Sequence, residues 1–423
     1  MARFLSKIVL LAEASLFIAC TSCSSIQYAP GGSGALSSTP IQHIVIIMQE
    51  NRSFDHMFNG FPGADTVRTG MHKGVEVPLV PTSLGNGPDL DHSHTNWWKQ
   101  WNGGAMDNFG TNGTMLPYSY IREKEVEPYW TLARNFTLGD RMFQSNTGPS
   151  FVAHQYMIAG QSGNASENPS GNVWGCGAAS TARVPLLGPN GTDRPGVYPC
   201  FDYLTIADLL DAKGITWRYY APSEESDQFF ILSAYQAIRH IFFGPDWNEK
   251  VVSPETRVLK DIDSGHLAQV TWIVPAFNNS DHPGAPPLGP DWVVSIVNAI
   301  GRSQFWDSTT IFIAWDDWGG WYDHVPPPQV DDMGLGFRVP VIVVSPYAKR
   351  GYVSHVTHES GGFLRYTETV FDLPSLGTRD SISDDFSDCF DYTQPPTPYT
   401  PVHTMHAKEF FLAQKASGPP DDD

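Results

Sequence analysis

The chain has 423 residues, 41% of them hydrophobic and 17% charged, with a formal net charge of −19. That size and apolar content suit a large globular core and exclude a disordered chain. The excess of acid excludes nucleic acid as a partner, which needs a basic surface, but not a phosphate ester, because a bound cation reverses the sign locally.

Residues 1–23 read as an export signal: Arg3 and Lys7, then the apolar run 8–19, then small residues around Cys20. The run is about 12 residues, too short for a hydrocarbon core that takes about 20. Phe17-Ile18-Ala19-Cys20 resembles a bacterial lipoprotein cleavage box, with Phe17 where Leu is preferred. Membrane attachment through a lipidated Cys20 and plain export both stand, so the expected location is the periplasm, the outer membrane or the exterior. Residues 24–40 form a flexible Ser/Gly/Ala linker. In an oxidising compartment Cys176 and Cys200, which flank a Gly/Pro-rich stretch, are expected to form a disulfide. Cys389 has no obvious partner.

Ordered structure is expected from about residue 41. The run 44–48 is short, β-branched and bounded by polar residues, as in a strand buried on both faces of a parallel sheet. Similar runs recur at 270–274, 310–315 and 339–344, and helical patterns lie at 203–213, 291–305 and 362–371. This alternation predicts an α/β fold, a mostly parallel central sheet flanked by helices, in one catalytic domain over 41–380. The stretches 59–119 and 161–200 read as long loops or a cap, and the Pro-rich segment 381–423 as an extended tail.

In an open α/β sheet, ligands bind beyond the carboxyl ends of the strands. One such end leads into Glu50-Asn51-Arg52-Ser53, another into Asp316-Asp317-Trp318-Gly319-Gly320. If these strands are neighbours, Glu50, Asn51, Asp316 and Asp317 converge, and crowded carboxylates call for a divalent cation. Ser150 opens a helix-compatible segment, where backbone N–H groups and the helix dipole favour phosphate. Its hydroxyl needs a base or a metal to become a nucleophile. His92 and His282, in polar loops, are suited to bind a phosphoryl oxygen or protonate a leaving alcohol. Each residue also has a plain reading: acids after strands face water, a serine at a helix start is an N-cap, and loop histidines are surface groups.

Taken in order, Glu50 to His56, Gly148-Pro149-Ser150, Asp281-His282-Pro283, Trp315 to Val325 and the segment 351–374 resemble the bacterial phosphoesterase family of phospholipases C and an acid phosphatase. The resemblance implies an alkaline-phosphatase-like core. It also implies one divalent ion (Mg²⁺, Ca²⁺, Mn²⁺ or Zn²⁺) on Glu50, Asn51, Asp316, Asp317 and Ser150, with Ser150 as nucleophile and His92 and His282 around the phosphoryl group. The implied activity is hydrolysis of a phosphate ester or phospholipid through a phosphoseryl intermediate. There are departures: Asp317 replaces a common Glu, and Ala153-His154 replaces a pattern that carries Arg. His154 then either substitutes for that Arg or faces the core. His94 stands where an aromatic residue is usual, either to stack against Trp97 or Trp98 or to make a second phosphate contact, and His324 is expected only to brace the loop.

A sulfatase would need Pro and Arg after the nucleophile, and Phe151-Val152-Ala153-His154 has neither. The alternative from another class is a cell-surface sugar- or lipid-binding protein on an inactive scaffold, with Trp97, Trp98 and Trp101 as its platform.

Overall fold

The computed structural model describes residues 39–415 apart from residues 86, 111–112, 189–192 and 224–228. The expected export signal, Cys20 and nearly all of the expected linker lie outside the described residues. Eight strands form the central sheet: β1 (His43–Gln49), β2 (Thr137–Gly139), β3 (Trp217–Tyr220), β4 (Val251–Val252), β5 (Val270–Ile273), β6 (Thr309–Trp315), β7 (Val341–Val344) and β8 (Tyr352–Ser354). Their order is β4-β3-β5-β1-β6-β7-β2-β8. Seven strands run one way, and β7 alone is antiparallel to both neighbours. The run 339–344 was read with the parallel set. It reverses because the chain leaving β6 loops over one end of the sheet and re-enters from that same end, with no crossover helix between.

The helices that matter below are α1 (Phe54–Phe58), α2 (His94–Trp101), α3 (Glu127–Asn135), α4 (Ser150–Ala159), α5 (Ile206–Lys213), α6 (Gly289–Gly301) and α7 (Gly361–Phe371). Helix α5 starts at a Thr205/Asp208 capping box and stops at Gly214, whose φ of 73° needs no Cβ penalty. Successive side chains of a strand point to opposite faces, and β6 shows what covers each. Phe312 packs on Phe363 and Tyr366 of α7, whereas Trp315 meets Tyr129 of α3. With α3 against α6 and α4 against α7, both faces are covered, which explains the unbroken apolar runs.

Within 59–119 and 161–200 the backbone forms short hairpins and α2 over the body of the fold. Trp97 is fully buried, stacked on Trp101 and packed against Phe337 in a second apolar cluster with Trp318 and Tyr322. The aromatic loop is therefore packed inward at its centre. The expected Cys176–Cys200 disulfide is present, and Cys389 is free and buried.

Residues 381–415 have little regular structure, as their prolines lead one to expect, yet they are no detached tail. Phe386, Phe390 and Phe411 are buried in the main core, with Phe386 stacked on Phe363. Phe386→Ala is expected to lower the unfolding free energy by about 3–5 kcal/mol. A chemical-denaturation midpoint equal to that of wild type would show that this segment does not support the core.

Candidate active site

Strands β1 and β6 pair in parallel from His43 against Thr309 to Gln49 against Trp315. The two ends are therefore level, and the Glu50-Asn51 and Asp316-Asp317 pairs emerge side by side. The Asn51 amide donates to Asp316 Oδ1 at 2.9 Å. Asn51 takes a left-handed turn (φ 59°), a conformation Asn tolerates better than most residues. Gly319 lies so close that a Cβ there would stand 2.2 Å from the Asn51 carbonyl oxygen. The glycines after the acid pair thus let two strand-end loops touch.

Helix α4 supplies the third side. Ser150 is its first residue, and its Oγ donates to Asp317 Oδ2 at 3.2 Å. One turn on, His154 Nε2 lies 3.5 Å from Glu50 Oε1 and 3.6 Å from Asp316 Oδ2. These three ligand atoms are buried, make no regular hydrogen bond and lie within 4.8 Å of one another. That spacing and donor set fit one divalent ion bound to all three. Three of the first-turn amides of α4 are already paired within the protein. Phe151 donates to Asn168 Oδ1 and both Val152 and Ala153 donate to the Pro149 carbonyl, so the helix offers its dipole.

The crowding shows in the ionisation of the group. Burial, with Asp316 adjacent, holds the Glu50 carboxyl up to about 8, and the same two causes hold Asp317 up to about 8. Burial opposes charge on His154, but Asp316 and Glu50 raise it to about 10. Burial likewise opposes charge on Asp316, and the His154 contact outweighs it, bringing Asp316 down to about 2. Acids and imidazole are thus mutually dependent.

Above them opens a crevice of about 530 Å³ whose lining includes Glu50, Asn51, Ser150, His92 and His282. His92 Nδ1 donates to the Leu90 carbonyl at 2.6 Å, and its Nε2 stands 3.2 Å from Asn51 Nδ2 and 3.8 Å from Asp317 Oδ2. His282 Nδ1 donates to the Pro283 carbonyl at 2.9 Å. Its loop is pinned by the Arg52 guanidinium on the Asp281 carbonyl, and by Tyr129 and Trp315 donating to the Asp281 carboxylate.

A family model described as the phosphoesterase family matches residues 41–374. The chain belongs to the phosphoesterase family. It is 25% identical to a non-hemolytic phospholipase C of Pseudomonas aeruginosa over 84% of this chain, and it spans only 58% of that protein's length. It is 24% identical to phospholipase C B of Mycobacterium tuberculosis, with 86% of this chain and 80% of that protein covered. Among solved structures, a protein of the alkaline phosphatase superfamily from Vibrio parahaemolyticus matches 82% of this chain and 71% of its own, with a TM-score of 0.42 and 12% identity.

The seven residues assigned to the site from the sequence (Glu50, Asn51, His92, Ser150, His282, Asp316 and Asp317) lie at the crevice or directly beneath it. His154 was left undecided between phosphate clamp and core, and it joins the acids instead. The signal was its place four residues after Ser150, which puts both on one face of a helix. His94 is not a phosphate contact: its Nδ1 pairs with Thr147 Oγ1 and its Nε2 accepts from Trp98.

Behind the crevice, a buried ion network ties the strand-end loops together. Arg338 lies 2.8 Å from Asp323 and 3.4 Å from Asp55, and His324 Nδ1 lies 2.6 Å from Asp55. Ser53 donates to the Tyr322 carbonyl beside it. Burial works against charge on His324, but the Asp55 bond and charge raise its pKa above 6.5. A raised folded-state value stabilises below the unfolded-state value and fades as pH rises through the folded one. Wild type is therefore expected to exceed His324→Gln in stability by about 2 kcal/mol at about pH 5.5, with the gap shrinking towards pH 9, as read by urea titration. A gap that is constant with pH would remove His324 as a charged brace.

Proposed function

We propose that this chain hydrolyses phosphate esters through a phosphoseryl intermediate on Ser150, with phosphodiesters of the phospholipase C type as substrates. The observation that carries this reading is the position of Ser150, at the first turn of a helix, bonded to Asp317 and facing a crevice flanked by His92 and His282. The phospholipase C relatives support the substrate class, and the same chemistry serves a phosphomonoester.

Glu50, Asp316, Asp317 and His154, with Asn51 and Ser150, are the residues that would hold one divalent ion. A mixed nitrogen and oxygen set suits Zn²⁺ or Mn²⁺ better than Ca²⁺. When bound, that ion supplies Lewis-acid polarisation of the phosphoryl oxygens. The chain's own residues do the rest. Ser150 Oγ directs its proton at Asp317 and attacks phosphorus in line with the departing alcohol. His92 and Asn51 face the phosphoryl oxygens and offset developing charge. His282 protonates the departing oxygen, and water then cleaves the phosphoseryl bond.

Ser150→Ala is expected to lower kcat by at least about 1,000-fold on a chromogenic diester, the matching monoester and phosphatidylcholine. Prolonged chelation should abolish turnover, and added Zn²⁺ or Mn²⁺ should restore it. Retained activity in Ser150→Ala would rule out the serine as nucleophile, and inactive wild-type protein on all three substrates would favour a binding role.

A further inference from the structure

Asp89 has so far had no function. It sits in the loop before α2, with a side chain only 8% exposed, between the two crevice histidines. Its Oδ1 accepts from the Leu90 amide at 3.0 Å, which fixes the carboxylate, and lies 3.7 Å behind His92 Nδ1. Its Oδ2 lies 3.9 Å from His282 Nε2, an ion-pair distance rather than a hydrogen bond.

His282 cannot turn away from it. Its Nδ1 is held by the Pro283 carbonyl and its ring rests against Phe277, so Nε2 is the edge left facing Asp89 and the crevice. The charged groups that act on this imidazole are Asp89, His92 and Arg52, and of these only Asp89 favours an added proton. Burial opposes the proton most strongly, and His92 and Arg52 add to it, so the ring's pKa lies below the ordinary imidazole value even with Asp89 in place. Without Asp89, a buried imidazole near two cationic groups would be depleted of that proton further still.

We propose that Asp89 is the positioning residue that faces His282 Nε2 and favours the proton there that is delivered to the departing alcohol. This rests on the serine mechanism above. As the Ser150 Oγ–P bond forms and the P–O bond to the alcohol breaks, the electron pair leaves with oxygen. The Nε2 proton goes to that oxygen, which leaves as a neutral alcohol and His282 as neutral imidazole. The attacking water then returns a proton to Nε2 while its oxygen bonds to phosphorus, the Oγ–P bond breaks, and Ser150 Oγ recovers its proton from Asp317.

A group that acts only through the leaving-group proton matters for poor leaving groups and not for good ones. The test uses the full chain and two esters of one phosphoryl group, an alkyl ester and its p-nitrophenyl counterpart, whose phenolate leaves unprotonated. Asp89→Asn is expected to lower kcat on the alkyl ester by about 100-fold, the scale of one general acid, with less than about threefold change on the nitrophenyl ester. His282→Gln should show the same split, and the double variant should lose no more than His282→Gln alone. Asp89→Glu should recover part of the alkyl-ester rate, which separates a charge effect from misfolding. Equal losses on both esters, additive losses in the double variant, or an unchanged alkyl-ester rate would overturn the assignment. If Ser150→Ala retained turnover, the serine mechanism would fail, and the split between esters would still judge Asp89.

Discussion

Strands β1 and β6 pair in parallel along their whole length, and the ladder continues one step beyond them, where the Asp316 amide donates to the Gln49 carbonyl at 2.9 Å. Parallel pairing in level register is what turns two sequence-distant acid pairs into one cluster. A slip of one residue would send the acids to the opposite face of the sheet. The burial of both strands guards against such a slip, since every residue from Ile44 to Gln49 and from Thr309 to Trp315 is buried. The positions of α4, the glycine turn and the histidine loops matter only because that register holds.

The arrangement is costly for stability and suited to chemistry. Glu50, Asp316, Asp317 and His154 lie in a region where an isolated charge is strongly disfavoured. They are kept there by surroundings that cannot relax easily: the close approach of Gly319 to Asn51, the Arg338 network behind the loop, and the hydrogen bonds that pin the Asp281-His282 turn. Groups fixed in this way are spared reorganisation when charge develops during reaction, which is the basis of electrostatic preorganisation. Perturbed ionisation gathered at one crevice is also what a functional site is expected to show.

Much of this was legible in the chain itself. The continuous apolar runs of β1, β5 and β6 identify buried parallel strands, and polar residues following such strands mark the crevice by a general rule of α/β sheets. What escaped did so for physical reasons. Thr137-Leu138-Gly139 and Tyr352-Val353-Ser354 are too short to show a period, and the direction of β7 depends on the loop after Asp317, not on its own residues. His154 looked ambiguous because α4 is buried on all sides, so its helical face could not be read from polarity. The prolines around 395–401 disguised the anchoring of Phe386, Phe390 and Phe411. Asp89 carries no motif at all, and its position between two histidines emerges only when loops 88–93 and 279–283 fold together.

The central claim is that Ser150 becomes covalently attached to phosphorus. The most direct test is the stereochemical course of hydrolysis with a substrate made chiral at phosphorus by isotopic or sulfur substitution. Two successive in-line displacements, one by Ser150 and one by water, predict overall retention of configuration. Inversion would mean a single direct attack by water and would contradict a phosphoseryl intermediate.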